Sequence, residues 1–97
     1  MFDIAFTPRA LDDIDWLHKR ERVIVFDGVE DQLTHQPNVE TRNKKKLRPN
    51  SVAEWEIRID KFRVFYDVDI ETRVVGIKMI GYKEGSRLFV RGEEFNL

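Results

Sequence analysis

Ninety-seven residues, 41% of them hydrophobic and including two Trp and seven Phe, are enough for one folded domain and exclude both disorder and a separate catalytic domain beside a binding domain. The absence of cysteine removes disulfides, thiolate nucleophiles and thiolate ligands, and agrees with a reducing compartment. A formal net charge of −1 hides an asymmetry: residues 1–41 carry nine acids against four bases, residues 42–97 thirteen bases against nine acids, so the C-terminal half is the one equipped to meet a polyanion.

The start of the chain has no basic segment followed by a long apolar run, and no apolar stretch approaches the roughly 20 residues that span a bilayer. A soluble cytoplasmic protein with no membrane partner is expected. Asp3-Ile4-Ala5-Phe6 reads as a short strand, and Thr7-Pro8 as an N-cap followed by proline in the first helical turn. Leu11, Ile14 and Leu17, three apart, predict an amphipathic helix from Pro8 to about Lys19. A second helix, about Glu21 to Gln36, presents Phe26, Val29 and Leu33 with Val25 beside them, and Pro37 ends it. Asn38 to Asn50 is a polar connector in which Arg42, Lys44, Lys45, Lys46 and Arg48 are five bases without an acid.

Beyond it the period changes to two. Trp55, Ile57 and Ile59 are opposed by Glu56, Arg58 and Asp60, then Phe62, Val64 and Tyr66 by Arg63, Phe65 and Asp67, which is the pattern of a β-hairpin. A third strand from Arg73 to Ile80 is apolar enough to lie centrally, Gly81 to Ser86 is a loop between glycines, and Arg87 to Arg91 forms a last short strand. This order predicts an α+β fold: a short N-terminal strand and two helices packed on one face of a mainly antiparallel sheet of three to four strands, all within a single domain, 1–97.

The hairpin carries the functional signal. With Asp60-Lys61 as its two-residue tip, Ile59 faces Phe62, Ile57 faces Val64 and Arg58 faces Arg63, so two guanidinium groups lie side by side on one sheet face. Like charges directly opposite one another are destabilising, and a shared anion is the simplest reason to keep them; a phosphate-facing surface with RNA as first candidate follows. The competing reading makes Arg58, Arg63, Glu56 and Asp67 a solvated, salt-bridged face.

Phe6-Thr7-Pro8-Arg9-Ala10-Leu11, Lys46-Leu47-Arg48-Pro49, Trp55-Glu56-Ile57-Arg58-Ile59 before Phe62-Arg63-Val64-Phe65-Tyr66-Asp67-Val68, and Ile80-Gly81-Tyr82-Lys83, in that order, resemble the RelE/ParE superfamily of bacterial toxins. The resemblance covers about Phe6 to Lys83. It implies the toxin of a type II toxin–antitoxin module, held inactive by a cognate antitoxin, in complexes that extend to higher-order assemblies. RelE-like members cleave messenger RNA on the ribosome without a metal or other cofactor; ParE-like members inhibit DNA gyrase; an inert relative that only binds its antitoxin is the third alternative. By position, Arg63 matches the arginine at the scissile phosphate, Arg58 a basic strand residue of the same site, and Lys83 falls where those enzymes have a second arginine. Glu56 stands at a position that is basic in RelE, and Phe89 falls near the place of a catalytic tyrosine.

Cleavage without a metal requires a deprotonated ribose 2′-oxygen aligned on the adjacent phosphorus, neutralisation of the phosphate, and a proton for the leaving oxygen. Arg58, Arg63 and Lys83 supply charge. Glu56, two residues from Arg58 and on its face, supplies a base or orients the arginines. Tyr82 offers a proton or a stacking surface, and Phe65, on the face of Arg63, is the best stacking candidate, whereas Trp55 and Tyr66 are assigned to the core. Lys44, Lys45, Lys46 and Arg48 supply sequence-independent phosphate contacts, against the alternative of an ordinary solvated loop. His18 and His35 lie far in sequence from the arginines, and two histidines without a helical His-x-x-x-His pair give no metal site.

Overall fold

A computed structural model describes residues 1–97 of the chain. Strand β1 (Asp3–Phe6) enters helix α1 (Pro8–Trp16) through Thr7, whose Oγ1 accepts from the Ala10 N–H at 3.2 Å, with Pro8 in the first turn where no amide donor is missed. Helix α2 (Lys19–Leu33) follows after Leu17-His18, and the Glu21 carboxylate accepts from the His18 N–H at 3.1 Å. Ile14 and Leu17, and Val25, Val29 and Leu33, are buried as expected, and one member of each expected face is not. Ala10, Asp13 and Ile14 are covered on α1 while Leu11 is 47% exposed, and Val25, Val29 and Leu33 are covered on α2 while Phe26 is 41% exposed. A stripe three residues apart drifts around a 3.6-residue helix, so its members do not all face inward.

The remaining chain is strand: β2 (Lys44–Lys46), β3 (Trp55–Ile59), β4 (Phe62–Asp69), β5 (Val74–Glu84), β6 (Arg87–Val90) and β7 (Glu93–Glu94). They pair antiparallel in the order β2-β3-β4-β5-β6-β7, and β1 lies parallel to the first half of β5. The sheet thus has seven strands, more than the three or four expected. The additions are short strands in the basic connector and at the C-terminus, and β5 runs through Gly81 instead of stopping before it. Gly81 is therefore a strand residue, required by close approach: a Cβ there would lie 2.6 Å from the Phe89 carbonyl oxygen.

A β-bulge interrupts the β4–β5 ladder. Phe65 pairs with Met79 but Tyr66 with Ile77, so Lys78 is the extra residue. Alternation consequently changes parity along β5: Val75, Ile77, Ile80 and Tyr82 share the helix side, and Met79 faces the other.

Both helices lie on one face of the sheet, over sixteen buried apolar residues that include Val25, Val29, Leu33, Trp55, Ile57, Val64 and Tyr66. Trp55 and Tyr66 are core residues as expected; their rings stack at 6.2 Å, and the Tyr66 hydroxyl donates to the Pro37 carbonyl at 2.7 Å. The opposite face has a smaller cluster, Ala53, Phe65, Met79, Leu88 and Val90, flanked by Leu47, Val52 and Phe95. No helix is long and apolar enough to cross a membrane.

Candidate functional site

The hairpin tip is Asp60-Lys61. Asp60 adopts a left-handed φ of 57°, a conformation that a short polar side chain tolerates. The ladder then pairs Ile59 with Phe62, Arg58 with Arg63 and Ile57 with Val64, in the expected register. Arg58 and Arg63 reach the same open cavity of about 260 Å³ on the face away from the helices, together with Glu56, Lys83, Lys45, Arg42 and Asn43. None of its lining residues is hydrophobic. Five cations surround one carboxylate, and no phenol or imidazole is present.

The two arginines are held differently. The Arg63 Nη1 donates to the carbonyls of Asp60 at 3.2 Å and Phe62 at 3.0 Å, and its Nε stands 3.7 Å from Glu56 Oε2, with both side chains only 14% exposed. Burial is the main cause that lowers the Arg63 pKa; Glu56 opposes it and the charge of Arg58 adds to it. Arg58 is exposed and has no carboxylate partner, and Asp67 is occupied elsewhere, accepting from the Glu54 N–H at 2.7 Å. A wholly salt-bridged face is therefore not what the chain forms: one guanidinium is pinned and the other is free to take an anion.

Other expected site residues fall outside this cleft. Lys44 is buried, and its Nζ donates to the carbonyls of Gln32 at 3.3 Å and Gln36 at 3.1 Å, capping the end of α2; burial pushes its ammonium pKa down. It is a structural lysine with no surface left for RNA. Lys46, opposite Trp55, shares the helix side of β2, and Arg48 is exposed beyond the strand and outside the cleft lining. Of the connector lysines only Lys45, opposite Glu56, faces the site.

Phe65 is on the face of Arg63 as expected but is fully buried in the small second core, which removes it as a stacking platform. Tyr82 lies on the helix side of the sheet, its ring sandwiched between Trp16 at 5.8 Å and Phe89 at 5.7 Å, so neither Tyr82 nor Phe89 serves the cleft. The bulge at Lys78 is the reason. Strict alternation from Val75 and Ile77 would turn Lys83 toward the helices and Tyr82 toward Arg63; the extra residue reverses both.

Arg42, Asn43 and Asp13 are the residues that sequence reasoning missed. Arg42 and Asn43 belong to the cleft because β2 pairs with β3, and the Asn43 carbonyl accepts from the Arg58 N–H at 2.9 Å. Asp13, 1% exposed on α1, accepts through Oδ2 from the Ile80 N–H at 3.0 Å, just past the bulge, and its Oδ1 is 3.0 Å from Arg91 Nε. That Oδ1 contact is an ion pair without hydrogen-bond alignment. Asp13 falls outside the expected Leu11, Ile14 and Leu17 face, and nothing in the α1 pattern distinguishes it from Asp12 and Asp15.

No protein-family model and no curated protein sequence matches the chain. Solved structures do. The chain superposes on the RelBE2 toxin–antitoxin complex of Mycobacterium tuberculosis with a TM-score of 0.73 at 24% identity, over 84% of this chain and 98% of that one. For the isolated RelE toxin of E. coli the values are 0.69 and 25%, over 89% and 88%, and for the YoeB dimer of Staphylococcus aureus 0.63 and 20%, over 86% and 98%. Together with the ordered motifs from Phe6 to Lys83, these superpositions give the chain the fold of the RelE-like toxins of toxin–antitoxin systems.

Proposed function

We propose that this chain is the toxin of a type II toxin–antitoxin module and acts as a metal-independent, ribosome-dependent messenger-RNA endoribonuclease. The observation that supports it is the cleft in which Arg58, Arg63, Lys83, Lys45 and Arg42 surround Glu56. The charge excess favours a phosphodiester, and the one carboxylate is placed to accept a proton beside it. In the proposed reaction Glu56 takes the ribose 2′-OH proton, the 2′-oxygen bonds to phosphorus, and the bond to the 5′-oxygen breaks; the departing oxygen takes its proton from water. The products are a 2′,3′-cyclic phosphate and a 5′-hydroxyl. With no imidazole or phenol in the cleft, alignment of the RNA by the ribosome carries much of the barrier.

Induction in cells is expected to stop translation with transcripts cut inside reading frames, and Arg63→Ala is expected to abolish both. Arrest with intact transcripts, unchanged in Arg63→Ala, sinks the nuclease reading. A gyrase-directed inhibitor is the second reading, favoured by the lack of a strong acid–base pair. It requires purified gyrase to be blocked by the purified protein. The antitoxin partner follows from the superfamily, since relatives were solved as toxin–antitoxin complexes. By charge complementarity it brings an acidic segment to the cationic cleft.

A further inference from the structure

A second cavity, of about 230 Å³, adjoins the cationic cleft and shares two lining residues with it, Glu56 and Lys83. Its character is different. The remaining wall comes from Phe65, Ser86, Arg87, Leu88 and the C-terminal residues Glu94 to Leu97. Arg87 is not a free charge, because Nε donates to Glu94 Oε2 at 3.1 Å and Nη2 to Glu94 Oε1, a bidentate pair that closes the β6–β7 hairpin. The tail is fixed at its base: the Phe95 N–H donates to the Leu88 carbonyl at 2.8 Å, and the Phe95 ring carries the Arg9 guanidinium 5.5 Å from its centroid. Asn96 and Leu97 follow directly, with Asn96 and Ser86 exposed.

We propose that this cavity is a nucleobase subsite for the RNA held in the cleft, and that Asn96, with Ser86, reads the base. The inference rests on the reading of the cleft as an RNA phosphate site. Three properties carry it. A phosphate between Arg58 and Lys83 places its own nucleoside next door, because Lys83 and Glu56 line both cavities. The second cavity has apolar walls at Phe65, Leu88, Phe95 and Leu97, and beyond Lys83 on the wall it shares with the cleft its one cation, Arg87, is already paired with Glu94, which suits a neutral heterocycle better than another phosphate. At about 230 Å³ it is smaller than the roughly 300–1,000 Å³ of sites that enclose a whole ligand, as expected for one base whose sugar and phosphate lie outside. An asparagine side chain offers a donor and an acceptor side by side, the arrangement that recognises a base edge. The cleft supplies affinity without base identity, and the tail supplies the identity.

The test is fluorescence anisotropy with labelled hexamers of A, C, G and U and with an abasic ribose-phosphate hexamer. The wild-type chain is expected to separate the tightest from the weakest base by about fivefold or more. Asn96→Ala is expected to compress that spread to about twofold or less while leaving the abasic hexamer unaffected, with Ser86→Ala partway between. Arg58→Ala is expected to weaken all five oligomers alike. A base ranking unchanged in both Asn96→Ala and Ser86→Ala overturns the subsite, as does wild-type binding that is equal for all five or absent. Ribosome-dependent cleavage measured on the same preparations judges the nuclease reading separately, because base preference in binding does not require turnover.

Discussion

The two faces of the sheet are built to opposite rules. Under the helices, sixteen apolar residues pack together and even the one lysine drawn in, Lys44, bonds to two helix-end carbonyls. On the other face a five-residue cluster shares the surface with five cations and a single carboxylate. The first face holds the fold; the second sets Arg58 beside Arg63, a repulsion that Glu56 offsets only in part. If that division is real, substitutions on one face change stability and on the other change RNA handling, with little crossover.

The largest separation is expected for Arg63→Ala. Loss of one preorganised donor at the phosphate lowers the single-turnover cleavage rate on programmed ribosomes about 10²–10³-fold. The urea midpoint is expected to move little, since removing the guanidinium also relieves its repulsion with Arg58. A large drop in midpoint with normal cleavage would make Arg63 a structural residue and erase the contrast between faces.

Leu33→Ala tests the other side. Leu33 is fully buried in the helix-side core, and its truncation is expected to cost about 2–5 kcal/mol in urea unfolding. RNA affinity per folded molecule is expected to stay unchanged.

Adjacent lysines on β2 give the sharpest comparison, because one strand sends them to opposite faces. Lys44→Met leaves the Gln32 carbonyl without its lysine donor, while the Gln36 carbonyl keeps the Val39 N–H at 3.3 Å, and is expected to cost about 1–3 kcal/mol of stability, with RNA binding unaltered. Lys45→Met is expected to leave stability unchanged and to reduce the slope of log affinity against log salt by about 0.7, the loss of one phosphate contact on a single strand. Equal effects of the two on RNA would mean that the basic run acts as a flexible loop.

That pair also shows where sequence reading stops. Hairpin, register and the facing arginines were legible because alternation about a two-residue tip admits one pairing. The run from Lys44 to Lys46 has no apolar partner by which to see alternation, so it read as a loop, and Lys44 was grouped with the wrong surface. Phe65 was given the correct face but the wrong environment. What buries it comes from residues 47–53 and 88–95, and covering by distant segments leaves no local trace. Tyr82 was read as a loop residue with no assigned face, and the bulge that turns it toward the helices is announced by nothing in the β5 sequence.

Asp13, beside that bulge, gives the smallest and most specific effect. Burial raises its carboxyl pKa, against the opposing pull of the Ile80 N–H and Arg91. The folded state therefore keeps this proton to a higher pH than the unfolded chain does. The stability it contributes is present below the ordinary carboxylate range and is lost as pH rises through the raised value. Glu21 has the opposite sign: although burial works against it, the Lys61 and His18 contacts lower its pKa, and its contribution is lost as pH falls. Urea midpoints across mildly acidic pH are expected to show a flatter decline toward neutrality for Asp13→Asn than for wild type. The amide still accepts from the Ile80 N–H, so Lys83 stays in the cleft and RNA affinity holds. A loss of RNA affinity in Asp13→Asn would show that the pairing of the carboxylate with Arg91, not the bond to Ile80, sets the parity of β5, and the two faces would then be coupled through one buried charge.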